Sequence, residues 1–381
     1  MKNVKALVLF TVFIDIVGLG IIIPILPTYV QSFGVSPAVV TLLFAVYALF
    51  SFFSAPYLGA LSDRIGRRPV LIISIISSAI GWFVFAQAWS VAFLFIGRII
   101  DGLAAGNITT AQSALADIAK DSKERAVNMG LFGALFGIGF IIGPALGGFI
   151  ALLGTHAPFY FVGILAAVNA VLAYFFLPET HHVRIQDKKL SYNPFTPIID
   201  GFKNHEMRWI FFVWFLFGTA LSVQQGTFSL YVQDVFGMNA QTTGLLFAGV
   251  GLLIVINQLV LLKKFWLVHF QQRTLALIML VMFGVGMVFQ SVPLMVSFFI
   301  GLILTTFGQG NLRTVFGSII AGHNEHKRGE YLGISASIMS LSMIVGPLIA
   351  TVTYASHPGA PFLIAGILGF IGWGTMKYIE R

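Results

Sequence analysis

The sequence contains no cysteine and very little charge. The missing cysteine excludes disulfide bonds, thiolate nucleophiles and metal sites built from cysteine. Charged residues make up 9% of the 381 positions and hydrophobic residues 57%, whereas a soluble domain carries about 25% charged residues. A soluble fold of this length cannot bury so much apolar surface, so lipid must be the main solvent of the chain.

Signals of enzyme chemistry are missing as well. No metal-ligand cluster or nucleophile elbow stands out, and the stretch GGFIALLG lacks the Lys-Ser/Thr ending of a nucleotide-binding loop. We therefore expect no enzyme, with no catalytic residue, no metal site and no cofactor. The net charge is +8, but the basic residues lie between hydrophobic runs. That placement indicates membrane topology and not a nucleic-acid partner.

Long apolar runs occupy most of the chain. A membrane-spanning helix needs about 20 apolar residues. We predict twelve spans, at residues 5–32, 38–61, 69–88, 90–117, 127–152, 158–178, 207–233, 240–262, 273–291, 294–320, 330–354 and 358–378. The first run is longer than the apolar core of a signal peptide, and no small-residue cleavage site follows it. We expect it to be retained as a span.

The basic residues orient these spans. Of the 22 lysines and arginines, twenty fall in loops or termini that the span count places on one side of the membrane. The other two, Arg98 and Arg313, fall within spans. Because loops rich in Lys and Arg face the cytoplasm, both termini and the long polar interval 179–206 are predicted to be cytoplasmic.

Segments of the first half recur in the second half. The pair Gly106-Asn107 recurs as Gly310-Asn311, 204 residues later, and Gly143-Pro144 recurs as Gly346-Pro347, 203 residues later. KERAVNMG is similarly matched by HKRGEYLG. Six spans separate the copies, so both copies have the same orientation in the membrane.

The repeat predicts the fold class. We expect an all-α membrane protein whose twelve transmembrane helices form two six-helix bundles related by pseudo-twofold symmetry. The predicted boundaries are residues 1–178 for the first bundle, 179–206 for a cytoplasmic linker and 207–381 for the second bundle. Transporters that work by alternating access have this layout, with a site between the halves.

Two acidic residues, Asp15 and Asp101, lie deep within spans, and Arg98 lies one helical turn before Asp101. A charge at that depth costs about 2.5–3.5 kcal/mol on insertion scales, so it is normally paired or faces a cavity. A carboxylate that alternates between an apolar environment and an arginine can bind and release a proton during a conformational cycle. We predict proton coupling through these three residues; the alternative is a fixed structural pair of Arg98 and Asp101.

The turn GALSDRIGRRPVL, residues 59–71, concentrates charge between two apolar runs. Its two glycines would allow close helix approach and a tight reversal, and its aspartate can accept hydrogen bonds. We interpret the turn as a latch that holds the two halves together on the cytoplasmic side in the outward-open state. The predicted gate residues are Gly59, Asp63, Arg64, Gly66, Arg67 and Arg68.

The fifth span is rich in glycine, which lets helix backbones approach closely, and its proline favours a kink. It is interpreted both as a packing surface and as a sliding or bending surface between the halves. Its motif residues are Gly133, Gly137, Gly139, Gly143, Pro144, Gly147 and Gly148.

Polar side chains within spans are candidates for substrate binding: Asn107, Gln112, Gln224, Gln225, Asn257, Gln309, Asn311 and Arg313. Arg313 has no evident carboxylate partner within the spans of the second half. Its side chain either extends toward the cytoplasm or presents a positive charge to substrate.

With these motifs placed, the whole chain resembles the major facilitator superfamily and, within it, the drug:proton antiporters. GALSDRIGRRPVL is similar to the family signature between helices 2 and 3, FIGRIIDGLAAG to the helix 4 signature centred on Arg98, and GIGFIIGPALGG to the helix 5 signature of antiporters. The resemblance implies a multi-pass protein of the bacterial inner membrane that exchanges protons for drugs.

The resemblance is strongest to the tetracycline/proton antiporters and extends to the quinolone-efflux group. FIDIVGLGIIIPILP contains Asp15 at the place of the acid in helix 1 of the tetracycline group, and HAPF and LPETH are also similar. Helix 9, which carries an essential acid in that group, reads LALIMLVMFGVGMVF here. Gln225 and Gly310 stand where the quinolone group carries acids. If protons drive transport, the first half must carry them.

Three hypotheses follow. The leading one is a monomeric, proton-coupled exporter of amphipathic small molecules that works by alternating access. The second is an uptake symporter or facilitator for a small metabolite, such as an anion that binds Arg313. The third is a membrane sensor that transports nothing.

Overall fold

The structure is a computed structural model that describes residues 2–119, 122–180, 193–205, 207–322 and 328–379, and within those ranges it is helical with no strand. The first half contains α1 (Lys2–Ile22), α2 (Leu26–Gln31), α3 (Ala38–Ile65), α4 (Arg67–Ala86), α5 (Val91–Leu103), α6 (Gly106–Asp117), α7 (Ser122–Ile150) and α8 (Ala157–Phe176). A 3₁₀ turn at Ala151–Leu153 ends α7.

The second half begins with a short helix in the polar interval and continues to the end of the described chain. Its elements are α9 (Thr196–Lys203), α10 (Arg208–Phe236), α11 (Ala240–Ile256), a π-helix (Asn257–Trp266), α12 (Leu267–His269), α13 (Gln272–Ser291), α14 (Met295–Gly322), α15 (Arg328–Tyr354) and α16 (Ala360–Ile379).

The predicted membrane architecture is confirmed. Among the described residues, eleven helices are long and apolar enough to cross a membrane. The remaining predicted span, 127–152, coincides with α7, whose described apolar part is shorter, Gly137–Leu153. Large apolar side chains are exposed far from the helix ends, among them Ile73 at 57% and Leu252 at 56%. In water such surfaces would promote association, and in a bilayer they face lipid.

Two predicted spans are interrupted. The first divides into α1 and α2 around Pro24 and Pro27, residues that lack a backbone N–H for the helical ladder. The fourth divides at Ala104–Ala105, where the Ala104 amide donates to the carbonyls of both Ile100 and Asp101 at 3.1 Å. Such shared bonds are common at helix ends. The interruption makes Gly106 the first residue of α6.

The eighth predicted span continues into a π-helix at residues 257–266. Its side chains bind α14: Asn257 donates to Asn311 at 3.0 Å, and Gln258 donates to the Gly310 carbonyl at 2.7 Å. Trp266 donates back to Asn257 at 3.0 Å. π-Helical segments are rare and are frequently found at functional sites.

The polar interval 179–206 is only partly described, since residues 181–192 and 206 lie outside the described ranges. Its later part contains α9, which the sequence analysis did not anticipate. Ile198 of α9 is buried at 6% exposure. A Cβ at Gly201 would lie 2.5 Å from Ile334, so α9 is packed directly against α15.

The chain forms two compact units. The first comprises residues 1–35, 46–193 and 239–248, and the second comprises residues 36–45, 194–238 and 249–381. Aliphatic side chains such as Val12, Ile16 and Ile75 form a core in the first unit. Aromatic rings contribute much of the second core, with Phe217 and Phe283 at 5.4 Å between ring centroids.

The sequence repeat is also visible as a repeat of helix contacts within each unit. In the first unit, a Cβ at Gly97 would lie 2.9 Å from the Gly81 carbonyl oxygen. In the second unit, a Cβ at Gly286 would lie 2.8 Å from the Gly301 carbonyl oxygen. These crossings lie 204 to 205 residues apart, within two residues of the 203 to 204 offset of the sequence repeat. They fix which positions of the two units correspond.

Candidate functional site

Asp15 is held by an amide from another helix. Asn107, in the first turn of α6, donates to Asp15 Oδ2 at 2.7 Å and is itself 8% exposed. The Asn107 side-chain oxygen accepts the Ile108 backbone N–H at 2.8 Å, which fixes the orientation of the amide. The interruption between α5 and α6 therefore positions the partner of the deep carboxyl in α1.

Asp101 is held mainly by a hydroxyl. Ser78 in α4 donates to Asp101 Oδ1 at 2.6 Å, whereas Arg98 approaches Asp101 Oδ2 at only 3.4 Å. Asp101 is 6% exposed and Arg98 is 3% exposed. The predicted pair is present, but its guanidinium–carboxylate bond is longer than the usual charge-assisted hydrogen bond of about 2.7–2.9 Å.

Both deep carboxyls reach one internal cavity of the first unit. The cavity has a volume of about 30 Å³, and its polar lining consists of Asp15, Tyr47, Ser78, Trp82, Asp101 and Asn107. A cavity needs about 10–15 Å³ for one water molecule, so this one has room for about two. It is too small for a drug-sized ligand and suits proton transfer between carboxyl groups and water.

The corresponding place in the second unit holds neutral side chains. Asp101 and Thr305 occupy equivalent positions, because the backbone N of each lies close to the glycine of the preceding helix, Gly81 or Gly286. Gln224 donates to Gln290 at 3.1 Å and to Thr305 at 3.3 Å, and Gln290 donates to Thr305 at 2.8 Å. This neutral triad joins α10, α13 and α14 without an ionisable group.

The neutral triad predicts a specific effect of Gln290→Leu. Because all three side chains are buried, the variant removes one hydrogen-bond partner from Gln224 and one from Thr305 and keeps the 3.3 Å bond between those two. We expect a loss of about 1–3 kcal/mol of stability. Thermal unfolding in detergent measures this loss, and the pH dependence of transport should not change. Gln225→Leu is the matched control, since Gln225 is exposed and makes no hydrogen bond with described residues. Equal melting temperatures of the two variants would contradict the prediction.

The charged turn between α3 and α4 is organised around Arg67, which is 6% exposed. Its guanidinium lies 2.6 Å from Asp63 and 2.9 Å from Asp117 at the end of α6, and it donates to Ser62 at 2.5 Å. The aspartate and one arginine of the predicted gate are thus tied to each other and to α6. Arg64 is exposed, and Arg68 donates to the Tyr174 carbonyl at 2.6 Å.

A carboxylate from the end of the sixth span closes the turn. Glu179 accepts the Arg67 backbone N–H at 2.8 Å and the Arg68 backbone N–H at 3.3 Å, where it caps the N-terminus of α4. Gly66 precedes α4 with φ of +112°, and a Cβ there would collide with the Glu179 carboxylate. Gly66 permits the reversal as predicted.

Gly59 does not serve the expected close approach. Among the described residues, no atom lies within 4 Å of a Cβ built at this position in α3. The glycine itself was the sequence signal that suggested a contact, and it has no packing partner in the described part of the chain.

The glycines of α7 form a close interface with α1. A Cβ would lie 2.5 Å from Ile16 at Gly139 and 2.8 Å from Gly20 at Gly143, and at Gly147 it would meet the Ile21 carbonyl. Pro144 lies within α7 against Gly20. Elsewhere in the motif, Gly148 lies against Gln241, and a Cβ at Gly137 would meet no described atom within 4 Å. Gly133 lies within α7, but its contacts fall outside the described residues.

The substrate candidates divide into two groups. Asn107, Gln224, Asn257 and Asn311 are buried and bind other helices through their amides. The rest are at least partly exposed and make no hydrogen bond with described residues: Gln112, Gln225, Gln309 and Arg313. Since the first group stabilises helix packing, the second group is the better set of candidates for ligand contact.

Sequence reasoning did not identify several residues of these sites, namely Tyr47, Ser78, Trp82, Glu179, Gln290 and Thr305. Glu179 stands in the LPETH segment, but nothing in that segment alone indicates a helix cap. Ser78, Gln290 and Thr305 are polar residues in apolar spans, a signal that could have included them. Tyr47 and Trp82 resemble the other aromatic residues of the spans, so no signal distinguished them.

Comparison with known proteins places these features in a family. A family model described as Major Facilitator Superfamily matches residues 8–265. The tetracycline resistance protein, class G, of Vibrio anguillarum is 32% identical over 94% of this chain and 92% of its own length. The quinolone resistance protein NorA of Staphylococcus aureus (strain MSSA476) is 27% identical over 93% of this chain and 91% of its own length.

A solved structure shares the fold. The crystal structure of a mutant of the nucleoside transporter NupG superposes with a TM-score of 0.80 and covers 99% of this chain and 100% of that one. The sequence identity is 14%, so the similarity concerns the fold alone.

Proposed function

We propose that this chain, which belongs to the major facilitator superfamily of membrane transporters, exports amphipathic small molecules in exchange for protons by alternating access. The moving bodies are the two predicted six-helix bundles, residues 1–178 and 207–381. The protein acts as a monomer in the bacterial inner membrane with both termini in the cytoplasm.

One observation carries the proposal: two carboxyl groups from different helices share a water-sized cavity beside a buried arginine. Asp15 and Asp101 line this cavity, and Arg98 lies within 3.4 Å of Asp101. Ionisable groups at such depth are costly and mark proton or ion pathways. The position equivalent to Asp101 in the second unit is Thr305 of the neutral triad, which supports coupling through the first bundle.

The direction of transport is supported by the relatives. Proteins named for resistance to tetracyclines and quinolones align with more than nine-tenths of this chain. The glycine-rich face of α7 supports the same assignment through its resemblance to the antiporter signature. The missing acid of helix 9 separates this chain from the tetracycline group, so we propose a broader class of amphipathic substrates.

The charged turn acts in this cycle as a cytoplasmic latch. Arg67 ties the turn to Asp63 and Asp117, and Glu179 caps α4. We propose that the turn holds the two halves together on the cytoplasmic side in the outward-open state; the contacts named above all lie within the first unit and keep the turn in shape for that role.

Reconstitution into liposomes tests the proposal. The purified protein is inserted into vesicles with an imposed pH gradient and offered dyes, tetracyclines and quinolones. Accumulation that requires the gradient, together with substrate-dependent proton movement in the opposite direction, is expected. Substrate movement that is independent of the pH gradient would indicate a facilitator. Ligand binding without substrate movement would indicate a sensor. Either outcome would overturn the proposal.

Arg313 favours a second candidate function, the transport of a small anion. This arginine lies within α14, is exposed, and makes no hydrogen bond or ion pair with described residues. A guanidinium within a span that is not paired by the protein is suited to pair with an anionic ligand.

The anion hypothesis predicts that Arg313→Gln weakens binding of anionic substrates at least about tenfold, because a hydrogen bond to a charged group is worth about 1.5–3 kcal/mol. Binding of cationic dyes to the same variant should remain within about twofold. Equilibrium binding of labelled anions and dyes to the purified protein measures both. Arg273→Gln, which removes an exposed arginine at the start of α13, is the control. Unchanged anion binding by Arg313→Gln would eliminate this candidate.

A further inference from the structure

The buried guanidinium of Arg98 makes few hydrogen bonds with the described residues. An arginine side chain has five N–H donors, yet Arg98 makes one bond with described residues, the 3.4 Å contact with Asp101. Its Nε is buried without a partner among them. A buried charge that lacks partners is strongly destabilising, so another interaction must stabilise it.

Aromatic rings supply that interaction. The Cζ atom of Arg98 lies 4.3 Å from the ring centroid of Trp82, 5.1 Å from that of Phe85 and 5.7 Å from that of Tyr47. All three distances are within the range in which ring faces attract a cation, and tryptophan attracts it most strongly. Arg98 therefore lies in an aromatic cage formed by Trp82, Phe85 and Tyr47.

One face of α4 contacts both the Arg98 guanidinium and the Asp101 carboxyl. Ser78 and Trp82 are one helical turn apart on α4, and both line the cavity with Asp101. Ser78 holds Asp101 at 2.6 Å while Trp82 holds Arg98 at 4.3 Å. The two members of the ion pair make a single contact of 3.4 Å and not a short, two-pronged one.

The second unit provides an internal comparison. Gly81 and Gly97 correspond to Gly286 and Gly301 at the two helix crossings. The same offsets of 205 and 204 residues place Met287 at the position of Trp82 and Leu302 at the position of Arg98. The indole and the guanidinium are thus present together in one repeat and replaced together in the other.

We propose that Trp82 is a positioning residue that holds the Arg98 guanidinium against its ring and limits its approach to Asp101, so that Asp101 can exchange a proton. This inference rests on the proposed proton coupling for its consequence in transport. The charged and titratable groups that face Asp101 are Asp15 from α1, Tyr47 from α3 and Arg98 from its own helix. The helices α4 and α6 present Ser78, Trp82 and Asn107, which do not titrate.

Removing the Trp82 indole changes the relative strength of two interactions of the Arg98 guanidinium, one with the aromatic rings and one with the Asp101 carboxyl. Without the ring of Trp82, the Arg98 side chain gains more from pairing with Asp101 than from the remaining rings. A closer guanidinium favours the ionised carboxyl. Asp101 then takes up its proton only at lower pH, and the transport cycle shifts with it.

The test compares Trp82→Leu with Trp82→Phe, which keeps an aromatic face. The infrared carboxyl band of purified protein, assigned with Asp101→Asn, is followed against pH. Trp82→Leu should move the pH at which this band is half-maximal downward by about one unit, and Trp82→Phe by less than half as much. The pH profile of transport should move in the same direction. If Trp82→Leu does not fold, Phe85→Leu should show a smaller downward shift.

The role of Arg98 is tested by repeating Trp82→Leu in an Arg98→Gln background, where the shift should disappear. A shift that persists without Arg98, or leucine and phenylalanine variants that both titrate like the wild type, would overturn the inference. The infrared measurement needs no transport. A wild-type protein that moves no substrate against a pH gradient would therefore refute the proposed antiport while the positioning role of Trp82 is still decided by titration.

Discussion

Asp15→Asn is expected to reduce gradient-driven export to the level of protein-free liposomes while the protein still folds and binds substrate. The substitution removes the ionisable group and keeps its shape. The new side-chain oxygen can still accept the hydrogen bond that Asn107 donates at 2.7 Å. The cavity wall and the contact between α1 and α6 are therefore retained, and only the proton is lost.

The experiment measures substrate accumulation and substrate-dependent proton movement in the same vesicles. Asp200→Asn is the matched control, since Asp200 is an exposed carboxylate in α9 outside the spans. This control should transport like the wild type. Asp101→Asn separates the two carboxyls, because each is held by a different partner. Gradient-driven transport that persists in Asp15→Asn, Asp101→Asn and the double variant would exclude coupling through these acids.

Gly66→Ala is expected to lower both stability and turnover. Gly66 has φ of +112° and ψ of +156°, where a residue other than glycine costs about 1–3 kcal/mol, and the added Cβ collides with the carboxylate of Glu179. Displacing Glu179 also removes its hydrogen bonds to the first amides of α4. A hydrogen bond to a charged group is worth about 1.5–3 kcal/mol. The substitution therefore destabilises both the turn and the N-terminus of α4.

Gly59→Ala in the same turn is the control. Gly59 lies within α3, and its Cβ would meet no atom of the described residues within 4 Å, so alanine should raise stability by about 0.5–1 kcal/mol. Thermal unfolding and transport assays on both variants measure the contrast. A Gly66→Ala protein as stable and active as Gly59→Ala would show that the Glu179 cap has no role in the turn.

The membrane architecture was predictable because it depends on local composition. Each span needs only a long apolar run, so the spans follow without knowledge of any contact. The repeat was predictable for the same reason, since matched segments such as Gly143-Pro144 and Gly346-Pro347 are short and contiguous.

The partners within the sites were not predictable, because they join residues far apart in the chain. Asn107 reaches Asp15 across 92 positions, and Glu179 reaches Arg67 across 112. The depth of Asp15 indicated that it needs a partner, but not which one. For Gly59 the sequence was misleading, since a glycine that permits close packing is indistinguishable from one that faces open space.

The neutral triad of Gln224, Gln290 and Thr305 limits the substrate concentration ratio that the proposed antiporter can maintain. Each proton that crosses a gradient of one pH unit releases about 1.4 kcal/mol, which supports a tenfold concentration ratio. If the second bundle contributes no titrating group, at most Asp15 and Asp101 exchange protons in one cycle. In the absence of a membrane potential, a neutral substrate could then be concentrated no more than about a hundredfold for each unit of pH difference.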